Sequence, residues 1–142
     1  MEDIESVLYT CCDIKRRVVE EDELDTGARM MLNFGHTLGH AYELAGGYET
    51  YTHGQAVAAG MVCAAKIGVS LGITPVGLPE RIAALVERFG LPAEIPCSAT
   101  CYEAAVGLDK KGAGENITLI LPDQPGHVVP YEMKKSDLFA LL

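Results

Sequence analysis

The sequence predicts a mostly α-helical domain with one small β element, on three observations. Apolar residues recur at helical spacings in segment after segment. The one strongly β-prone run comes late, at Asn116-Ile117-Thr118-Leu119-Ile120-Leu121. No strand–helix alternation and no Gly-x-Gly-x-x-Gly turn after a strand is seen, so a nucleotide cofactor would need another domain to hold it. With 142 residues, 49% of them hydrophobic and 22% charged, the chain suffices for one domain with a sizeable core and is too apolar for disorder.

The elements follow in order. Ile4, Val7, Leu8, Cys11, Ile14 and Val18 mark a first helix, Ile4 to Val19. The acidic stretch from Glu20 to Asp25 reads as a loop, in which Asp25 or Thr26 is placed to cap the next helix. That second helix is expected from about Ala28 to Leu44, stopped by Gly46-Gly47. A third runs from His53 to about Leu71 and ends at Gly72 and Pro75. Pro79 suits the first turn of a fourth, through Phe89, which Gly90-Leu91-Pro92 closes. Ser98 is a cap for a fifth, through about Leu108. A polar glycine loop, Asp109 to Gly114, precedes the strand, with which His127-Val128-Val129 is expected to pair, and Ser136 to Leu142 form a short terminal helix.

The net charge of −9 argues against a nucleic-acid partner. An anionic small molecule remains open, because Lys15, Arg16, Arg17, Arg29, Lys110 and Lys111 are basic islands in an acidic chain. Five cysteines, with no signal peptide ahead of them, are expected to be reduced thiols of a cytoplasmic protein. Cys97 and Cys101 lack the second pair a zinc site would need. The apolar run from Ala56 to Ile73 is interrupted by Lys66 and reads as a buried core helix rather than a membrane span.

The chemistry concentrates in RMMLNFGHTLGHAYE. Arg29, Asn33, His36 and His40 stand at offsets 0, +4, +7 and +11, within roughly 60° of one another on an α-helix. Arg29 would then lie about 16 Å along the axis from His40, a row suited to an extended polar substrate. Arginine offers a fork for carboxylate or phosphate, asparagine both donor and acceptor. His36 and His40, at i and i+4, have the spacing of a metal pair, and His53 supplies a third imidazole from the next helix. No His-Glu-x-x-His is present, which disfavours a zincin protease. Plainer roles stay open: hydrogen-bonded histidines, a surface ion pair for Arg29 and a solvated pair for Lys110-Lys111. Gly35 and Gly39 point to close approach by another helix or by a ligand.

RMMLNFGHTLGHAYE followed by THGQAVAAGM resembles the signature of the 3-dehydroquinate synthase family, and DIKRRVVEEDELDTGAR upstream and LDKKGAGENITLILP downstream resemble it in the same order. The resemblance spans nearly all of residues 1–142 and is to the family's helical C-terminal domain. The family's N-terminal NAD-binding domain has no counterpart here. It implies that His36 and His53, rather than His36 and His40, hold a divalent metal, zinc or cobalt, with a third ligand, a glutamate, lying upstream of these residues. His40 and Lys15 become catalytic. Arg29, Asn33 and a lysine of the Asp-Lys-Lys loop, Lys110 or Lys111 with Lys111 preferred, become substrate-binding. Arg29 would suit the substrate carboxylate, and His40, Asn33 and Lys111 the phosphate. Asp25 and Gln55 depart from the glutamates common in the family.

The activity so implied converts a seven-carbon sugar-acid phosphate, DAHP, to 3-dehydroquinate and phosphate in the shikimate pathway, with NAD⁺ oxidising a ring alcohol transiently. The implied partners are that substrate and an N-terminal NAD-binding domain, with no nucleic acid and no membrane; the oligomeric state is open, although apolar helix faces that such a domain would cover could favour a homo-oligomer. The 142 residues alone are expected to be inactive. Two other readings stand beside this one: a related sugar-phosphate cyclase and a non-catalytic helical metal-binding domain.

Overall fold

The computed structural model describes residues 3–22, 27–107 and 114–142 and divides into two compact units, Met1–Asn33 and Phe34–Leu142. In the first unit, helix α1 (Ile4–Glu21) is capped by Asp3, whose side chain accepts from the Glu5 backbone N–H. Val18 is the buried residue of its expected apolar face, while Ile4, Leu8 and Ile14 are exposed. On the polar face Asp13 pairs with Arg16 and Arg17, and Arg16 also with Glu20. Ala28–Asn33 form a 3-10 helix. Asp22 Oδ2 accepts from the backbone N–H groups of Gly27 (2.7 Å) and Arg29 (3.0 Å); Asp25 and Thr26, the expected caps, lie outside the described residues.

The second unit departs from the expected helix pattern at its start. The helix expected from Ala28 to Leu44 is broken: after the 3-10 helix, Gly35 turns the chain at φ 81° and α2 (His36–Ala45) starts afresh. The physical reason is tertiary. A Cβ on Gly35 would come within 2.7 Å of Met61 Cγ and of the Val57 carbonyl oxygen, so glycine alone fits there, and its left-handed backbone ends the upstream helix. Arg29 and Asn33 therefore do not share a helix with His36 and His40.

Helix α3 (His53–Ser70) starts in a capping box, with the Thr52 side chain accepting from the Gln55 N–H and the Gln55 side chain accepting from the Thr52 N–H. Its midsection is buried on several sides, from Ala56 to Gly68. None of the described helices is long and apolar enough to cross a membrane. The crossing of α2 over α3 is close because small residues meet there. A Cβ on Gly60 would overlap the Gly35 carbonyl oxygen and come within 2.9 Å of Gly39 N, and one on Gly39 would stand 3.1 Å from Val57 Cα. Of the two readings of Gly35 and Gly39, helix packing is the one seen.

Helices α4 (Leu78–Arg88), with Pro79 in its first turn, and α5 (Ala99–Gly107) follow, then strands β1 (Asn116–Gln124) and β2 (His127–Lys134) and a short α6 (Lys135–Phe139). The strands pair antiparallel, Leu121 opposite Val129 and Asn116 opposite Lys134, with an irregularity between Pro122 and Gln124. The β element is thus longer than expected. Pro130 sits within β2, which a two-stranded ribbon tolerates because one side of each strand is an edge. The core joins Leu38, Ala41 and Tyr42 of α2 to Ile67 of α3, Tyr102 of α5, Leu119 and Leu121 of β1 and Leu138 of α6.

Candidate metal and substrate site

The crossing of α2 and α3 brings three imidazoles together. His36 opens α2, His40 stands one turn on, and His53 opens α3 right after its Thr52 cap. Ring centroids are 5.2 Å apart for His36–His53, 6.0 Å for His40–His53 and 6.3 Å for His36–His40. The closest pair thus spans the two helices, although the i, i+4 spacing alone favours His36 with His40.

Glu43 ties the cluster together, and sequence reasoning did not single it out. One carboxylate oxygen lies 2.8 Å from His40 Nδ1 and the other 3.0 Å from His53 Nδ1. The Glu43 side chain is 13% exposed, whereas those of His40 and His53 are 61% and 54% exposed. His36 Nδ1 is 3.4 Å from the Phe34 carbonyl oxygen. Burial holds the His36 imidazole below its ordinary pKa, which favours the neutral ring a metal requires. Burial acts to raise the Glu43 carboxyl, but the hydrogen bonds from His40 and His53 outweigh it and hold the group below the usual carboxylate range.

These donors suit a divalent transition metal. One ligand atom each from His40, Glu43 and His53 falls within a 4.8 Å span. Two imidazole nitrogens at about 2.1 Å from one ion stand at most about 4.2 Å apart, so only small side-chain rotations separate such a group from ligation. Among the described residues two donor sets are on offer, His36 with His53, and His40 with Glu43 and His53.

His40 also lines a cleft of about 560 Å³ with Thr37, Tyr48, Asn116, Glu132 and Lys135, a volume in the range of small-molecule sites. Val106 and Asn116 belong to the same wall and lie on either side, in sequence, of residues 108–113. His36 and His53 border an apolar groove with Val57, Met61, Leu85 and Phe89. The cluster therefore has a polar flank and an apolar flank.

Three of the remaining candidates belong to the first unit. Lys15 is exposed on α1, Asn33 is exposed and Arg29 half-buried on the 3-10 helix, all within Met1–Asn33. Lys110 and Lys111 lie outside the described residues. The five cysteines are free. Cys97 and Cys101 both approach the Ala41 carbonyl oxygen, and burial together with the Cys101 thiol pushes Cys97 up to about 12.

Comparison with known proteins gives a consistent result. Residues 1–112 match the family model described as 3-dehydroquinate synthase C-terminal. A 3-dehydroquinate synthase of Streptococcus sanguinis (strain SK36) is 42% identical over 143 residues, covering 97% of this chain and 40% of the relative. One of Clostridium perfringens (strain SM101 / Type A) is 46% identical over 121 residues, 84% of this chain and 35% of the relative. The crystal structure of 2-deoxy-scyllo-inosose synthase complexed with carbaglucose-6-phosphate, NAD⁺ and Co²⁺ superimposes with a TM-score of 0.79 at 26% identity, over 93% of this chain and 39% of that one. The chain thus spans about 40% of the length of the first of these relatives.

Proposed function

The chain belongs to the 3-dehydroquinate synthase C-terminal family, and from that premise we propose that it forms the metal- and substrate-binding part of a 3-dehydroquinate synthase, a carbon–oxygen lyase that converts DAHP to 3-dehydroquinate and phosphate. The observation that carries this reading is the gathering of His36, His40 and His53 at one helix crossing, with His40 lining a cleft of about 560 Å³. His36 and His53 are the proposed metal-holding pair, with a carboxylate from outside these residues. A divalent ion held there, zinc or cobalt, would supply polarisation of substrate oxygens, and NAD⁺ held by a companion domain would supply the transient oxidation.

The chain's own residues take the remaining tasks. His40 Nε2 has no protein hydrogen bond among the described residues and is the group proposed to hold or pass a proton at the substrate. Arg29 would bind the substrate carboxylate, and Asn33 and Lys111, with Lys110 beside it, the phosphate end, while Lys15 completes the catalytic set.

A related sugar-phosphate cyclase is the second reading, favoured by the fold likeness to 2-deoxy-scyllo-inosose synthase at 26% identity. The 42% and 46% identities to 3-dehydroquinate synthases favour the first. The experiment supplies DAHP, NAD⁺ and Zn²⁺ to the 142 residues alone and then together with the N-terminal domain of the Streptococcus sanguinis relative. No phosphate release alone and release on mixing are expected. Enzymatic release by the 142 residues alone would refute the need for a companion domain. Turnover of a hexose phosphate but not of DAHP by the mixture would turn the assignment to the other cyclase. A homo-oligomer is proposed on the exposed Ile4, Leu8 and Ile14 of α1. Sedimentation that stays monomeric across a hundredfold concentration range would refute it.

A further inference from the structure

We propose that Glu43 is a positioning residue that fixes the tautomer of two imidazoles at once, His53 for the metal and His40 for the proton, and is not itself a metal ligand. This rests on the reading of the cluster as a metal centre.

An ionised carboxylate only accepts hydrogen bonds. Glu43 Oε2 faces His40 Nδ1 at 2.8 Å and Oε1 faces His53 Nδ1 at 3.0 Å. Both Nδ1 atoms must therefore carry the hydrogen, and in the neutral rings both Nε2 atoms carry the lone pair. The Phe34 carbonyl, also acceptor-only, asks the same of His36 at 3.4 Å. An isolated imidazole favours the opposite tautomer, so the arrangement is imposed by its partners. Each Glu43 oxygen is engaged by a different ring Nδ1–H, so the Nδ1 atoms that face Glu43 carry hydrogen and only the Nε2 atoms are free to ligate. Metal-binding histidines characteristically give their second N–H to a carboxylate or carbonyl, which fixes the ring and raises its basicity. Here a single, largely buried carboxylate does so for two rings on two helices, so that the ring proposed for the metal and the ring proposed for proton transfer are oriented together.

The test uses the full 142-residue chain, metal-free, with ¹⁵N-labelled histidine at alkaline pH, where long-range ¹H–¹⁵N spectra distinguish the tautomers. In the wild type, His36, His40 and His53 are expected in the Nδ1–H form. In Glu43→Gln one of the two oxygens becomes an amide NH₂, a donor that asks for a bare Nδ1, so His40 or His53 is expected to shift toward the other form. His36, held by Phe34, stays unchanged and reports that the fold is intact. Co²⁺ titration followed by visible absorption should then show about 10- to 100-fold weaker binding in Glu43→Gln with the same band shape.

Either of His40 and His53 found in the Nε2–H form in the wild type would overturn the proposal, whether or not the variant folds. So would unchanged tautomers in Glu43→Gln, or a Co²⁺ band altered as loss of a ligand alters it. If instead the tautomers behave as expected and the chain takes up no Co²⁺, it is the metal-centre reading that fails.

Discussion

On one side of α2 the Tyr102 hydroxyl donates to the Tyr42 hydroxyl at 2.9 Å, both rings buried and 5.8 Å apart edge to face. On the other, Glu43 accepts from His40 and His53, two rings more than half exposed. Both are polar pairings on one ten-residue helix, yet they serve different ends. A buried hydroxyl left unbonded costs about 1–3 kcal/mol, so the tyrosine pair holds the core in register. Hydrogen bonds to rings this open to water contribute about 0–1 kcal/mol, so the histidine side adds little to folding. Its order comes from the glycines beneath it, which set the distance between α2 and α3, and its worth lies in what it binds.

That contrast can be broken at its base. Gly60→Ala places a methyl on the Gly35 carbonyl and against Gly39 N, backbone that cannot move aside cheaply. A loss of about 3 kcal/mol in urea unfolding is expected, with the histidine cluster dispersed. A loss below about 0.5 kcal/mol would show that the crossing is looser than described. Tyr102→Phe should cost less, about 1 kcal/mol by the same measurement, since the Tyr42 hydroxyl loses its donor. His40→Ala, on the open side, should change stability by less than about 0.5 kcal/mol. If it cost more than Tyr102→Phe, the division of labour between the two faces would be wrong. The smallest effect is on reactivity. With its thiol pushed up to about 12, Cys97 should be alkylated by iodoacetamide at pH 8 at least about tenfold more slowly than the exposed Cys11 and Cys12, as peptide mapping would show.

The same contrast explains what was legible in the sequence. Helices α1, α3 and α4 were readable because period, caps and stops agree, as at Ile4–Glu21 and Leu78–Arg88. The helix expected through Gly35 was not, because its break is dictated by Met61 and Val57, which come close only once α3 has packed. Strand β2 was read short because its later residues, Glu132 and Lys134, alternate with apolar ones on an edge that polar side chains suit. The three histidines were readable as site chemistry from residue type and spacing. Glu43 was not. Its i, i+3 relation to His40 is visible in the sequence, but its bond to His53 spans ten positions and exists only through the α2–α3 crossing. Local pattern shows which residues have chemistry to offer. The contact between elements decides which of them act together.

The central claim is that the crossing of α2 and α3 presents its imidazoles to a metal ion. Equilibrium dialysis of the chain against Co²⁺ or Zn²⁺, wild type beside the His36→Ala/His53→Ala double variant, tests it most directly. The account predicts one ion per chain in the wild type and none in a folded double variant. Equal uptake by the two would contradict it.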